Sequence, residues 1–331
     1  MKTLCITNQP EPLQFIDKPV PQAKAGQAVV QLKAAALNHR DQWIREGKYP
    51  NIEIGTTLGS DGAGVVSAIG EGVDSAWLGK EVIINPNKAW GKNKAVQSAE
   101  YNILGMPSDG TLAEYVLGEV DRLVEKPQHL SFEEAAALPL GGLTAFRAVF
   151  HQGHCASGKN VLISGVGGGV AQFAFLFALH AEANVWVTSG SEDKISKCIE
   201  LGAKGGFNYK SESWIKEAKA TGGFDLVIDS AGGDQVNDFV KLMKPAGKII
   251  FYGATNGVPS KLDLHRMFWN QITLQGSTMG NDDEFLLMVE FINQLQVQPI
   301  IDSVRRFAEA ISAFDDMKKG SQFGKLVVQI S

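Results

Sequence analysis

The chain has 331 residues, a formal net charge of −5, 20% charged residues and 44% hydrophobic ones. That length predicts two domains with room for real cores, and an acidic balance without a basic block argues against a nucleic-acid or anionic-membrane surface. Cys5, Cys155 and Cys198, scattered and odd in number, point to a reducing cytoplasm rather than a disulfide framework.

The first 15 residues lack the apolar core of a signal peptide, and no apolar run reaches membrane-spanning length. Short strands punctuated by glycine and proline follow, at 1–7, 13–17, 28–37, 64–70, 81–85 and 111–117. Together they predict a small, partly open β-barrel. The polar stretch 88–97, KAWGKNKAVQ, breaks the rhythm and reads as an exposed excursion. Near Lys126-Pro127 the character changes. Ser131 and Glu134 have the spacing of a capping box, so a helix is expected to start there. His151-Gln152-Gly153-His154-Cys155 has ligand-like spacing, but its polar setting just before a strand reads as ordinary loop.

Residues 161–171, VLISGVGGGVA, carry the strongest signal in the chain. A buried parallel strand runs into a tight turn of Gly165, Gly167, Gly168 and Gly169, and an apolar helix continues from Val170. Strand, glycine turn and helix in that order set backbone N–H groups and a positive helix end against a pyrophosphate. Strands at 161–164, 184–189, 206–209, 224–230, 248–253 and 272–276 alternate with helices at 169–180, 192–201, 213–220 and 235–244. This is the pattern of an α/β, doubly wound, parallel dinucleotide-binding sheet. Helices at 283–294 and 306–318 and a strand at 325–330 are expected to return to the first domain. The expected domains are therefore 1–125 completed by 280–331, and 126–279.

Folds that prefer the unphosphorylated dinucleotide place an acid at the tip of the second strand, on the ribose 2′-OH. Here the tip reads Val187-Thr188-Ser189-Gly190-Ser191, with no acid. Ser189, Ser191 and Tyr209 offer hydroxyls and Lys194 a charge, a set suited to a 2′-phosphate, so NADPH is the expected cofactor. Residues 272–276, ITLQG, alternate without charge or proline and should form the outer strand. Such an edge invites pairing with its own copy, so a homodimer is expected.

Six segments in combination resemble the medium-chain dehydrogenase/reductase superfamily, and most closely its zinc-independent, quinone oxidoreductase-like branch. They are LNHRDQWIREGKYP at 37–50, LGSDGAGVV at 58–66, DGTLAEYV at 109–116, LPLGGLTAFRAV at 138–149, the glycine loop, and GKLV at 324–327. The resemblance implies a Rossmann domain joined to a GroES-like catalytic barrel. It also implies that the segment holding Asn38, Asp41 and Tyr49 lies beside the nicotinamide, and that Thr144, Gly253 and Ala254 touch that end of the cofactor. Ser230 and Lys325 complete the expected cofactor contacts, with Asn38 shared. Zinc enzymes of the superfamily carry Cys where this chain has Asn38, and Gly-His-Glu where it has Gly59-Ser60-Asp61. Their remaining cysteines fall within 138–142 and 85–106, where this chain has none. Neither zinc site can be assembled from these residues, so no metal is expected.

Without a metal, a carbonyl taking up electron density must be polarised by hydrogen-bond donors. Asn38 offers an amide donor, Tyr49 an aromatic wall with a proton to relay, and Asp41 a carboxylate to orient its neighbours. Trp43, Ile44, Trp269 and Phe323 are expected to wall an apolar pocket with Tyr49. His39 follows Asn38 in what reads as an alternating strand and should face away. The expected activity is hydride transfer from NADPH to a quinone or to the β-carbon of an α,β-unsaturated carbonyl. Alcohol–aldehyde interconversion and a cofactor-binding protein with little turnover remain the alternatives.

Overall fold

Small and β-branched residues fill the two longest strands of the N-terminal half, and their pairing determines where everything else goes. The computed structural model describes residues 1–8 and 12–331. In chain order the first part gives β1 (Lys2–Ile6), β2 (Leu13–Asp17), β3 (Gln27–Ala36), α1 (His39–Arg45), β4 (Asp61–Ile69) and β5 (Glu81–Ile84). Next come β6 (Asn87–Lys88), β7 (Asn102–Ile103), β8 (Tyr115–Glu119), β9 (Leu123–Glu125), α2 (Phe132–Ala137) and α3 (Pro139–Phe146). The middle part gives β10 (Asn160–Ile163), α4 (Gly169–His180), β11 (Asn184–Ser189), α5 (Glu192–Glu200), β12 (Gly205–Asn208) and α6 (Trp214–Ala220). It continues with β13 (Phe224–Asp229), α7 (Gln235–Leu242), β14 (Met243–Phe251), α8 (Leu264–Trp269) and β15 (Thr273–Gly276). The chain ends with α9 (Asp282–Leu295), β16 (Ile301–Arg306), α10 (Ala310–Lys319) and β17 (Lys325–Gln329).

Two units result: Met1–Gly141 with Asn281–Ser331, and Gly142–Gly280. In the first, the sheet order is β16-β17-β3-β4-β5-β9, with β8 also on β3. One edge of β3 is shared, by β8 along Gln27–Gln31 and by β17 along Ala34–Ala36. Register shifts between Val29 and Val30 and between Leu32 and Ala34 add local twist, which curls the sheet. Leu4, Leu37, Ile44, Leu58 and Phe314 fill one core of this unit, and Val30, Leu32, Val82 and Leu104 another. Helix α2 begins in a capping box, with Glu134 N donating to Ser131 Oγ at 3.1 Å and Ser131 N to Glu134 Oε2 at 2.8 Å. It packs on β3, β4 and β17, so residues 126–141 lie with the barrel and the division falls at Gly141/Gly142, not at 125/126.

The polar excursion is only partly exposed. Residues 91–96 face solvent, but Trp90 is 2% exposed and meets the Tyr101 ring edge-on at 5.2 Å. The Tyr101 hydroxyl donates to Asn87 Oδ1 at 2.7 Å, and Asn85 Nδ2 to Asp282 Oδ1 at 3.0 Å. An aromatic pair and amide hydrogen bonds thus close this lobe.

The second unit is one sheet in the order β12-β11-β10-β13-β14-β15, every pair parallel. Strand order reverses between β10 and β13, the topological switch point at which doubly wound sheets bind ligands. Helix α4 is buried from Ala171 to Ala178, which explains its apolar character all round. Among the described residues no helix is long and apolar enough to cross a membrane.

Candidate active site

The dinucleotide side is built from strand ends of the second unit. Gly165 has φ +58°, a left-handed value that L side chains rarely adopt, and its N–H donates to Thr188 Oγ1 at 3.3 Å. Gly167, Gly168, Gly169 and Val170 follow half-buried, and Gly168 caps α4 without a side chain. The first turn of this helix carries no acid, so its N–H groups and positive end suit an anion. At the tip of β11, Ser189 is buried and its Oγ accepts from Ser191 N at 3.2 Å. A Cβ at Gly190 would lie 2.7 Å from the Tyr209 hydroxyl and 2.8 Å from Lys210 Cε, so both side chains close over this turn. Lys194 sits half-buried in the first turn of α5. Glu192, an acid close to the tip, is drawn to Asn208 Nδ2 at 2.6 Å. Lys210 was missed at the sequence level; its position directly after Tyr209 was the available signal.

Nearer the switch point, Asp229 at the end of β13 is fully buried. It takes the Ser164 hydroxyl and the backbone N–H groups of Gly232 (2.8 Å) and Ala231 (3.2 Å). Burial pushes this carboxyl above its ordinary range against those hydrogen bonds. Ser230 follows it, Gly253 backs onto the Ser230 carbonyl, and Ala254 is exposed. Thr144 in α3 is 6% exposed, with Oγ1 3.5 Å from Met279 Sδ.

The barrel unit gathers a second cluster. Ala36 at the end of β3 pairs with Asp61 on one side and Val327 on the other, so Asn38, Asp61 and Lys325 converge. Lys325 Nζ donates to Asn38 Oδ1 at 2.7 Å and to Asp61 Oδ2 at 2.9 Å, and Asn38 Nδ2 donates to Asp61 Oδ2 at 2.9 Å. Asp61 is 0% and Lys325 3% exposed, and Asp61 Oδ1 also accepts from Leu140 N at 2.7 Å. Asn38 is the N-cap residue of α1, yet the capping hydrogen bond comes from the Asp41 carboxylate, which accepts from Asn38 N at 2.9 Å. The Asn38 side chain takes part in this capping box as well as in the network, and one of its two N–H groups remains a donor. Burial raises the Asp41 carboxyl to about 6, opposed by the Arg40 charge, and its Oδ1 has no hydrogen-bond partner. Arg40, also missed at the sequence level, donates from Nε to the half-buried Tyr49 hydroxyl at 3.3 Å.

Several expectations are corrected here. Ile44 is 1% exposed and belongs to the core rather than a pocket wall, because α1 turns it inward; Trp43, one position earlier, is 37% exposed. Trp269 lies on α8 of the second unit and is 75% exposed, a surface residue of that unit. Phe323 is half-buried beside β17, its N–H on Asp302 Oδ1 at 2.8 Å. Lys325 donates two of its three ammonium hydrogens within the barrel, to Asn38 and Asp61. His39 is exposed as the first residue of α1, so helix geometry, not strand alternation, separates it from Asn38. In the 151–155 run, Gln152 O accepts from Lys248 Nζ at 3.2 Å, and burial pushes the Cys155 thiol up to about 11.

A family model described as alcohol dehydrogenase GroES-like domain matches residues 24–128, and one described as zinc-binding dehydrogenase matches residues 169–294. A zinc-type alcohol dehydrogenase-like protein of Leptosphaeria maculans is 35% identical, covering 97% of this chain and 95% of its own. Another, from Schizosaccharomyces pombe, is 33% identical over 92% of this chain and 91% of its own. The crystal structure of an NAD-dependent alcohol dehydrogenase matches with a TM-score of 0.94 and 35% identity over 100% of both chains. The zinc in the second description does not fit the residues present. Asn38 and Asp61 are bonded to the Lys325 ammonium and Ser60 Oγ to the Arg40 guanidinium, so a divalent cation there would face two fixed positive charges. Among the described residues no group of three or more His, Cys, Asp or Glu side chains is placed to hold a metal ion.

Proposed function

Because the chain belongs to the medium-chain dehydrogenase/reductase superfamily and is an oxidoreductase of that type, we propose that it is an NADPH-dependent, zinc-free reductase of quinones or α,β-unsaturated carbonyls. The observation that carries this proposal is the barrel cluster. Asn38, where the zinc branch carries a ligand, offers an amide donor, and Arg40 holds the Tyr49 hydroxyl in the same unit. Such donors polarise a carbonyl without a Lewis acid.

When bound, the reduced nicotinamide supplies the hydride. Ser189, Ser191, Lys194, Tyr209 and Lys210 supply hydroxyls and charge for a 2′-phosphate, and Gly165 with Gly167–Val170 supplies N–H groups for the pyrophosphate. Asn38 donates to the substrate oxygen, Asp41 fixes Asn38 through its backbone, and Tyr49 returns a proton. Trp43 and Phe323 offer apolar surface. A second copy of the chain is the proposed partner. Supporting it are β15, an outer strand of its sheet, and the exposed Leu264, Phe268 and Trp269 of α8, at 65%, 66% and 75%.

Alcohol–aldehyde interconversion is the second reading, favoured by the 35% identity to an NAD-dependent alcohol dehydrogenase. Initial rates of NADPH and NADH oxidation with enones, quinones and aldehydes separate the two. Faster NADPH oxidation with enones or quinones supports the proposal; turnover confined to aldehydes with NADH supports the alternative.

A further inference from the structure

Arg40 is 6% exposed, and its guanidinium is held almost entirely by neutral oxygens. Nη1 donates to Ser60 Oγ and to Leu104 O at 2.8 Å, and Nη2 lies 3.5 Å from Met106 O. The carboxylate facing it, Asp41, is 4.0 Å away and makes no hydrogen bond to it, while Asp61 is already paired with Lys325. A buried cation that lacks a hydrogen-bonded counter-ion is costly, and stability alone gives little reason to keep it. It also meets Tyr49: the guanidinium lies 4.9 Å from the ring centroid and Nε donates to the hydroxyl oxygen at 3.3 Å.

We propose that Arg40 is the positioning residue of the proton-delivering step, acting through Tyr49. By donating to the Tyr49 oxygen it takes up a lone pair and turns the hydroxyl hydrogen away from itself, outward from the buried cluster. By its charge it stabilises the oxygen once that hydrogen has left.

The inference rests on the reductase reading above. A bound reduced nicotinamide would supply a hydride to the β-carbon, forming a C–H bond there, and the C=C electron pair would move to give an enolate. The Tyr49 O–H bond then breaks, its proton goes to the α-carbon, and the phenolate oxygen accepts from Arg40 Nε until water reprotonates it. The substrate is thereby reduced by two electrons and the nicotinamide oxidised by two.

A double-mutant cycle with Arg40→Gln and Tyr49→Phe, read in kcat and in NADPH binding by fluorescence, tests this. Arg40→Gln should lower kcat at least about tenfold while NADPH affinity stays within about twofold, since the loss is of an interaction made only along the reaction path. In the Tyr49→Phe background the same change should cost less than about twofold, because coupled residues are non-additive. Arg40→Lys, which keeps the charge but not the planar fork, should fall between and replaces Arg40→Gln if that variant does not fold. Full kcat in Arg40→Gln, or additive losses, would overturn the inference and leave the reductase reading standing. No NADPH-dependent turnover by the unaltered protein would overturn both.

Discussion

Burial acts on Asp41 against the Arg40 charge and the hydrogen bond from Asn38 N, and burial wins: its carboxyl is raised to about 6, against an ordinary 3.8. The native state therefore holds a proton between those values that the unfolded chain has released, so stability falls as pH rises through this window and levels off above it. A shift of about two units corresponds to roughly 3 kcal/mol. Asp41→Asn, which keeps an acceptor for Asn38 N, should be no more stable than the parent at pH 4 and more stable at pH 7.5 in urea titrations. A pH-independent difference would contradict this. In the second unit, Lys194→Glu and Lys210→Glu should each lower the NADPH/NADH specificity ratio by about tenfold or more, as expected for loss of a charge-assisted contact. A ratio unchanged in both variants would place the 2′-phosphate elsewhere. Asn38→Ala should reduce turnover more than NADPH binding, by on the order of 3 kcal/mol if its donor serves the substrate oxygen; equal losses would make it a cofactor ligand only. Ser189 and Tyr209 were legible in the sequence because a strand tip announces itself. Arg40 was not, because its partners Ser60, Leu104 and Met106 come from distant parts of the chain.

Helix α1 shows what element-level reading loses. HRDQWIR is short, with only Trp43 and Ile44 apolar, so periodicity does not reveal it; the Asn38–Asp41 capping spacing was the available signal. Strand β16, IDSVRR, alternates half-buried and exposed residues at a sheet edge and was missed for the same reason, too little apolar content. The inner parallel strands β10, β11 and β13 were readable because burial makes them nearly continuous apolar runs. The meeting of β3, β4 and β17 that joins Lys325 to Asp61 depends on long-range pairing invisible to local pattern. That pairing carries its own prediction. Lys325→Met leaves Asp61 charged and buried without its cation, which should cost roughly 3–5 kcal/mol in chemical denaturation. Adding Asp61→Asn should recover part of the loss; no recovery would mean the pair is not the origin of the effect.

For the whole molecule, two features of the second unit point to a partner: strand β15 at one edge of the parallel sheet and the exposed apolar residues of α8. An uncharged strand edge beside exposed apolar side chains favours association with a second copy. Light scattering should give a dimeric mass at micromolar concentration, and Leu274→Pro, which removes a ladder donor, should shift it toward monomer. A monomeric parent would contradict the proposal, and a dimer indifferent to the proline would move the interface. The central claim, that hydride goes to an activated C=C bond without metal, has a direct measurement. Chelator-treated protein is given NADPH carrying deuterium at the transferable position together with a simple enone, and the product is analysed by mass spectrometry and NMR. One deuterium on the β-carbon of a saturated ketone is the predicted result. Deuterium on the carbonyl carbon of an alcohol, or loss of all transfer on chelation, would contradict it.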